Sequence, residues 1–226
     1  MFFEFPFLFL IALANLFYRS FLFFLESFFF AGNLKLWKVR WLLYSHYLFQ
    51  EFWIARQRKK MMIKIPEGDL TYGETPFWTA RRLILWSGIE KGSVVWDLGC
   101  GRGLFVLFAG IYFNMTAVGI DFFPFFTHTG EKISQKLGLN QILWVQADFL
   151  TLNFSSLPEP NLIYLASTTF SWGTICKLAE KLENLKSGVK IITLSTALPS
   201  KSFKQTKKGE FWFSWGKATA YLQEKI

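Results

Sequence analysis

The stretch Val94–Gly103 limits the possible folds of this chain more than any other. It begins as an apolar run that ends at Asp97, glycines then occupy every second position from 99 to 103, and a second apolar run starts at Leu104. An apolar strand, a tight glycine turn and an apolar helix form the opening unit of nucleotide-binding α/β sheets. The sequence therefore predicts an α/β domain with a nucleotide site at this turn.

The apolar segments on either side of the turn alternate between the strand pattern and the helix pattern. We predict helices over residues 77–87, 103–113, 125–138 and 172–186, and strands over residues 94–98, 116–121, 142–147, 161–166 and 189–194. This alternation is typical of a parallel sheet that is covered by helices on both faces.

The end of the chain departs from the alternation. A polar linker follows Thr196, and residues 210–215 and 218–223 have the pattern of an antiparallel hairpin with Gly216-Lys217 at its turn. A parallel sheet closed by such a hairpin is the architecture of Rossmann-like methyltransferases, whereas a dinucleotide dehydrogenase would continue with parallel strands. We therefore predict the α/β class with a Rossmann-like methyltransferase sheet.

Three aspartates end three successive predicted strands and indicate the cofactor. Asp97 is placed to accept hydrogen bonds from an ammonium group, Asp121 from two ribose hydroxyls and Asp148 from an adenine amino group. Each aspartate alone is explained as well by a helix cap or a turn. The three together match the class I S-adenosylmethionine-dependent methyltransferase pattern over roughly residues 72–226.

The glycines of the turn belong to the same predicted site. A Cβ at these positions would clash with a ligand or force backbone strain, so glycine lets the backbone approach the cofactor. These residues are Gly99, Gly101 and Gly103.

Cysteine and histidine are too few for a metal centre of the usual kinds. The chain has two of each. Cys100 lies in the glycine turn and Cys176 in a predicted helix, so neither a disulfide framework nor zinc spacing is present. We predict no metal, and a reducing, cytosolic setting fits this usage.

Residues 1–32 are predicted to form a membrane anchor. Residues 5–18 are apolar except for one asparagine, and the apolar pattern continues to Gly32 with Arg19 and Glu26 inside it. Taken as one helix, this segment exceeds the roughly 20 residues that cross a bilayer, although the two charges are costly there. A secretory signal and a buried core helix are the alternatives, and the acidic start of the chain argues against a signal.

Residues 33–65 mix aromatic and basic side chains without any proline or glycine. The pattern suits a helix that lies on an anionic membrane surface, and an amphipathic helix packed on the catalytic domain explains it nearly as well. The net charge of +9 is concentrated in residues 1–60 and 201–226. Basic residues after an apolar segment place the predicted methyltransferase domain, residues 66–226, on the cytoplasmic side. A nucleic-acid partner is disfavoured, because such proteins often carry their basic residues on the catalytic domain.

A narrower resemblance rests on three segments outside the glycine turn. Tyr72-Gly73-Glu74-Thr75 resembles the cofactor loop of the disruptor-of-telomeric-silencing family, the non-SET histone lysine methyltransferases. The segment Leu162–Phe170 resembles its fourth strand, and Phe213–Lys217 with Tyr221 resembles its terminal hairpin. The resemblance implies that Tyr72, Glu74 and Thr75 bind S-adenosylmethionine and that the methyl acceptor is a protein lysine.

The resemblance also implies a lysine channel. Phe170, Trp172 and Tyr221 would line it, and Ser167 or Thr168 would orient the amine. The apolar walls would lower the pKa of the lysine and so favour its neutral form. Packing in the core or a helix cap explains each of these residues at least as well. The family's paired asparagines are replaced here by Ala166-Ser167 or Ser167-Thr168, and the hairpin turn is shorter.

Three other functions compete with lysine methylation. A membrane anchor suits a methyltransferase of a lipid, a quinone or another apolar small molecule equally well. A nucleic-acid amine methyltransferase typically carries a D/N-P-P-Y/F/W tetrad after the fourth strand, and residues 166–169 do not form one. A non-catalytic cofactor-binding scaffold is the third alternative, and the intact acids and glycines argue against it.

Overall fold

A computed structural model describes residue 14, residues 17–18, 20–22 and 24–47, and residues 73–226. The predicted cofactor residue Tyr72 and much of the predicted anchor lie outside the described residues. So do residues 48–65 of the predicted basic and aromatic segment and residues 66–72 of the predicted methyltransferase domain.

The catalytic domain is built on one sheet, as the alternation predicts. Its strands are β1 (Val94–Leu98), β2 (Thr116–Asp121), β3 (Ile142–Gln146), β4 (Leu162–Leu165), β5 (Lys190–Leu194), β6 (Phe203–Phe213) and β7 (Gly216–Lys225). The order across the sheet is β3-β2-β1-β4-β5-β7-β6. Strands β1 to β5 are parallel, and β7 runs antiparallel to both β5 and β6. The predicted parallel sheet with a closing antiparallel hairpin is confirmed.

Helices cover both faces of the sheet. They are α1 (Leu34–Tyr47), α2 (Phe77–Ser87), α3 (Leu104–Tyr112), α4 (Pro124–Leu137) and α5 (Trp172–Leu182), with short 3-10 turns at Phe154–Ser156 and Ser167–Thr169. The core on one face joins α1, α2, α3 and α4 to the sheet. The core on the other face is formed by α5 and the loop residues that follow β3. Both cores combine apolar residues of the strands with apolar residues of the helices.

The terminal hairpin differs from the prediction in two ways. Phe213 pairs with Gly216, so the turn is Ser214-Trp215 and not Gly216-Lys217. Strand β6 also begins at Phe203, inside the segment predicted to be a polar linker. The reason is that β6 is an edge strand whose residues 204–208 are exposed, so this part of it carries polar side chains on both faces and lacks the apolar alternation.

The region before the catalytic domain is packed onto it. Helix α1 buries Leu36, Val39, Leu43 and Tyr47 in the first core. The helical residues 17–18, 20–22 and 24–29, here called the Phe-rich helix, precede α1. Of the two alternatives given for residues 33–65, packing on the catalytic domain therefore holds for α1.

The Phe-rich helix docks through the polar side chains on one of its faces. Tyr18 Oη donates a 2.7 Å hydrogen bond to the carbonyl of Phe213 in the hairpin. The buried carboxylate of Glu26 forms an ion pair with Arg40 of α1 and accepts a hydrogen bond from the Trp78 amide at 3.4 Å. At its end, the Phe30 ring packs on Phe108 with centroids 5.4 Å apart.

Most of the phenylalanines of the Phe-rich helix lie on its opposite face. Phe17, Phe21, Phe24 and Phe28 are 59–81% exposed and follow one another at helical spacing. We call these four residues the Phe stripe. Within the described ranges, no helix has the length and apolar character needed to cross a membrane.

Candidate active site

The glycine turn sits where β1 and β2 end, and Asp121 holds it in place. The amides of Gly99 and Cys100 donate to the carbonyl of Ile120 at 2.8 and 3.0 Å. Asp121 Oδ2 accepts from the Gly101 amide at 2.8 Å, and its Oδ1 accepts from the Phe123 amide at 2.8 Å. A carboxylate oxygen has more than one acceptor position, so these bonds leave acceptor capacity for ribose hydroxyls, the role predicted for Asp121.

Two buried acids face the same small volume at the turn. Asp97 and Asp121 are 4% and 7% exposed. Burial raises the pKa of Asp121 to about 6, against the lowering effect of its backbone hydrogen bonds. Burial, and then the negative charge of Asp121, raise the pKa of Asp97 well above its usual range. A cationic ligand bound here would offset the cost of keeping both groups ionised.

These features fit S-adenosylmethionine. The ligand carries a positive ammonium and a positive sulfonium, which suit two buried carboxylates, and its ribose carries the hydroxyl pair that an acid at the end of β2 can accept. Gly99 and Gly101 have φ values of +79° and +51°, a backbone conformation that favours glycine. The predicted cofactor residues Asp97, Gly99, Gly101 and Asp121 thus lie together at the carboxyl ends of β1 and β2.

Gly103 has a different contact from the predicted one. A Cβ at Gly103 would lie 2.1 Å from the Trp144 ring, and Cβ atoms at Gly119 and Gly130 would also lie under 3.0 Å from that ring. Three glycines therefore make room for one indole, which donates from Nε1 to Ser134 Oγ at 2.9 Å. The absence of a Cβ at Gly103 thus lets Trp144 pack there, and the predicted approach of Gly103 to the cofactor stays a prediction.

Asp148 lies two residues beyond the end of β3, beside the end of the neighbouring strand β2. The amide of Ala147 donates to the Asp121 carbonyl at 3.0 Å, and Asp148 Oδ1 accepts from the Leu150 amide at 2.8 Å. Asp148 thus forms a turn, which is one of the alternative roles given above for the strand-end aspartates. The predicted contact with adenine stays a prediction.

Aromatic rings link Asp148 to the segment after β4. Phe149 stacks on Phe170 with ring centroids 5.7 Å apart. A Cβ at Gly99 would lie 3.5 Å from the Phe170 ring, so Phe170 borders the glycine turn. Of the predicted catalytic residues, Phe170 is the one that the structure brings directly to the glycine turn.

The predicted cofactor loop, residues 73–76, is tied to the sheet and to the hairpin. Thr75 Oγ1 and Tyr164 Oη are 2.6 Å apart in a buried hydrogen bond. The Glu74 amide donates to Ser214 Oγ at 2.8 Å, and the Ser214 amide donates to the Glu74 carbonyl at 3.1 Å. The Thr75 hydroxyl thus contacts Tyr164, and its predicted contact with the cofactor stays a prediction.

Glu74 also joins the loop to the glycine turn. Its Oε1 is 2.5 Å from Nη1 of Arg102, the residue between Gly101 and Gly103. The Arg102 guanidinium in turn lies 5.0 Å from the centre of the Tyr47 ring at the end of α1. Sequence reasoning missed Tyr47 and Arg102, since their contacts join segments far apart in the chain.

Ser167 and Thr168 lie at the carboxyl end of β4 in different environments. The buried Ser167 hydroxyl donates to the Leu194 carbonyl at 2.7 Å and accepts from the Leu194 amide at 3.2 Å. Thr168 is exposed, and its Oγ1 accepts from Ser195 Oγ at 3.3 Å. Ser195 has a φ of +65°, which is rare for a residue with a side chain and marks a strained backbone at the end of β5. Ser167 ties β4 to β5, and orientation of an amine by either hydroxyl stays a prediction.

Tyr221 lies farther along the sheet. It pairs with Thr193 of β5, and β7 lies two strands from β4. The Lys208 ammonium is 5.4 Å from the centre of its ring. Its predicted place in a lysine channel stays a prediction.

In the part of the chain that the structure describes, no group of three or more potential metal ligands is present. The described chemistry of the site consists of carboxylates, hydroxyls, backbone amides, an ion pair and aromatic rings. These are groups that position and enclose an organic ligand.

Comparisons with known proteins find solved structures with a similar fold. No family model matches the sequence, and no curated protein matches it. An RNA methyltransferase from Salinibacter ruber in complex with S-adenosyl-L-homocysteine is 19% identical, with a TM-score of 0.57 over 67% of this chain and 93% of that chain. TrmN from Thermus thermophilus is 18% identical, with a TM-score of 0.58 over 72% of this chain and 52% of that one.

A small-molecule enzyme shares the same architecture. Precorrin-6y C5,15-methyltransferase from Geobacter metallireducens GS-15 is 14% identical, with a TM-score of 0.50 over 65% of this chain and 87% of that chain. The fold is that of class I S-adenosylmethionine-dependent methyltransferases. Identities this low show the fold, so the methyl acceptor has to be argued from the site.

Proposed function

We propose that this chain is an S-adenosylmethionine-dependent methyltransferase that works at a membrane surface. The observation that carries the proposal is the pair of buried carboxylates, Asp97 and Asp121, beside a left-handed glycine turn at the ends of β1 and β2. The methyltransferase fold of the chain and the S-adenosyl-L-homocysteine bound in one structural neighbour support the same cofactor.

The proposed reaction needs little covalent catalysis by the protein. When bound, S-adenosylmethionine supplies a methyl group on a sulfonium, which an acceptor nucleophile displaces directly. The chain's own residues position the reactants and exclude water. Asp97 and Asp121 hold charged and hydroxyl groups, while Phe149 and Phe170 form an aromatic wall at the turn.

Membrane association is supported by the distribution of polarity on the Phe-rich helix. Two of its polar side chains, those of Glu26 and Tyr18, contact protein partners, whereas the Phe stripe is exposed. Ionisable residues in membrane-bound segments are usually paired toward the protein interior. Exposed Trp41 and Tyr44 on α1 add the aromatic residues typical of a membrane interface. The basic residues of this region favour the cytoplasmic face of the membrane.

A protein lysine is the acceptor that the sequence resemblance implies. The position of Phe170 beside Gly99 and the exposed Thr168 hydroxyl support it. The Ser167 hydroxyl is hydrogen-bonded to Leu194, and these bonds compete with its predicted role in orienting an amine. A lipid or other apolar small molecule is the second candidate, and the outward-facing Phe stripe favours it.

Titration calorimetry with S-adenosylmethionine tests the proposed cofactor site. The full chain should bind the cofactor, and Asp121→Ala should abolish or greatly weaken binding because it removes a carboxylate from the site. Glu210→Gln removes an exposed acid of β6 and should leave the affinity unchanged. Equal affinities of wild type and Asp121→Ala would refute the site assignment.

A further inference from the structure

A chamber of about 470 Å³ lies between the N-terminal helices and the catalytic domain. Leu22 of the Phe-rich helix, Trp37 and Leu43 of α1, and Leu104 at the start of α3 form apolar parts of its wall. A volume of a few hundred Å³ with mostly apolar walls is characteristic of small-molecule sites. The proposed function does not assign this chamber a ligand.

The polar part of the chamber lies at the predicted cofactor loop and at the glycine turn. Glu74 and Arg102 line the chamber, and their 2.5 Å ion pair joins the loop before α2 to the glycine turn. Ser214, whose backbone and hydroxyl hold Glu74, lines it as well. A ligand in the chamber would therefore meet polar groups on the side next to the cofactor and apolar groups elsewhere.

Two other lining residues connect the chamber to the outer face of α1. Trp41 and Tyr44 contribute to its wall, and yet they are 68% and 66% exposed. The helix that carries Leu22 carries the Phe stripe on another face. If the Phe stripe lies in a membrane, an apolar molecule can enter the chamber beside these two aromatic residues without crossing water.

We propose that the chamber binds the apolar chain of the methyl acceptor, a membrane-embedded small molecule whose polar head reaches the cofactor at Glu74 and Arg102. This inference rests on the proposed function and specifies its substrate class. Methyl transfer then moves the methyl group from the sulfonium to a nucleophilic atom of the polar head, which loses a proton if it carries one. The chamber matches such a molecule in volume, in its apolar wall and in the position of its charged residues.

Photo-crosslinking in vesicles tests whether a chain enters the chamber. The full chain is reconstituted with palmitic acid that carries a terminal diazirine, and the cross-linked positions are mapped by mass spectrometry. We expect cross-links at Leu43 and Leu104, which are buried residues of the chamber wall. Cross-links confined to the Phe stripe would show that the chain stays outside and would overturn the proposal.

A matched pair of variants at one position sharpens this experiment. Leu22→Trp fills the chamber and should reduce cross-linking at Leu104 at least fivefold, whereas Leu22→Ala enlarges it and should retain cross-linking. Leu85→Ser changes an exposed residue of α2 that is absent from the chamber wall and should also retain it. Equal cross-linking in Leu22→Trp and Leu22→Ala would contradict the chamber as the binding site.

A second measurement separates an acceptor from a structural lipid. Vesicles of total native lipid and the full chain are incubated with methyl-tritiated S-adenosylmethionine and then extracted with organic solvent. The proposal predicts tritium in the organic phase, reduced at least fivefold by Leu22→Trp. Tritium in protein alone would overturn it in favour of a protein acceptor, even if the probe enters the chamber. Loss of cofactor binding by calorimetry would instead refute the proposed function itself.

Discussion

At the scale of single residues, the three glycines of the turn have distinct physical roles. All three have a left-handed backbone, and Gly103 in addition makes room for Trp144. The G-x-G-x-G spacing was enough to predict the turn. The contact of Gly103 with Trp144 could not be predicted from the sequence, because the pairing of β2 with β3 brings Trp144 to Gly103.

Substitution at Gly103 tests that packing. Gly103→Ala combines a left-handed φ of +73° with a clash against Trp144, so it should lower the free energy of unfolding by about 2–4 kcal/mol. Gly138→Ala is the matched control, since φ is +63° but a Cβ there would meet no atom within 4 Å. It should cost only about 1 kcal/mol. Urea unfolding measures both, and equal losses would contradict the Trp144 contact.

The raised pKa of Asp121 predicts a pH-dependent cofactor affinity. The ionised carboxylate is the form that accepts ribose hydroxyls and attracts the positive ligand, and its pKa is about 6. Affinity should therefore rise as pH increases through 6. Calorimetry should give binding about tenfold weaker at pH 5 than at pH 7.

A charge-neutral variant serves as the control for this titration. Asp121→Asn cannot ionise, so its weaker affinity should change less between pH 5 and pH 7 than that of the wild type. A wild-type affinity that is constant over this range would show that Asp121 does not control binding.

At the scale of secondary structure, the apolar runs determine what could be predicted. Strands β1, β2, β4 and β5 are nearly continuous apolar segments, and their positions agree with the prediction within one or two residues. Strand β6 was partly missed because its exposed residues 204–208 are polar, including three lysines. Exposed lysines on an edge strand discourage pairing with another chain, so the sequence there reflects protection of the edge.

The contact between the Phe-rich helix and α1 depends on a buried ion pair. Glu26→Gln removes one charge of the Glu26–Arg40 pair while Arg40 remains, and it should destabilise the full chain by about 3 kcal/mol. Glu159→Gln breaks the exposed Glu159–Lys186 pair and should cost less than about 1 kcal/mol. Thermal unfolding in mild detergent compares the two variants. Similar losses would mean that the Glu26 pair is not buried as described.

At the scale of the whole molecule, the N-terminal region and the catalytic domain form one structure. Leu36, Val39 and Leu43 of α1 belong to the same core as α2 and α3. The sequence indicated an aromatic and basic helix here, but both a membrane surface and a protein surface explain that pattern. Only the packing shows that one face of α1 is buried in the domain while Trp41 and Tyr44 stay exposed.

The Phe stripe should control membrane binding without affecting the cofactor site. Replacing Phe17, Phe21, Phe24 and Phe28 by serine removes exposed apolar surface and should reduce co-sedimentation with anionic vesicles at least tenfold. Trp172→Ser, which changes a 60% exposed residue of α5, is the control and should sediment like the wild type. Unchanged sedimentation of the Phe-stripe variant would contradict membrane contact through this face.

We propose that the buried carboxylates at the glycine turn serve methyl transfer from S-adenosylmethionine. Incubating the full chain and native membranes with methyl-tritiated cofactor, and counting tritium in washed protein and lipid together, measures this transfer. We expect transfer by the wild type and by Glu210→Gln, and loss of transfer by Asp97→Asn, which removes a buried carboxylate from the site. Wild-type protein that binds the cofactor but transfers no tritium to any membrane component, or an Asp97→Asn variant as active as the wild type, would contradict it.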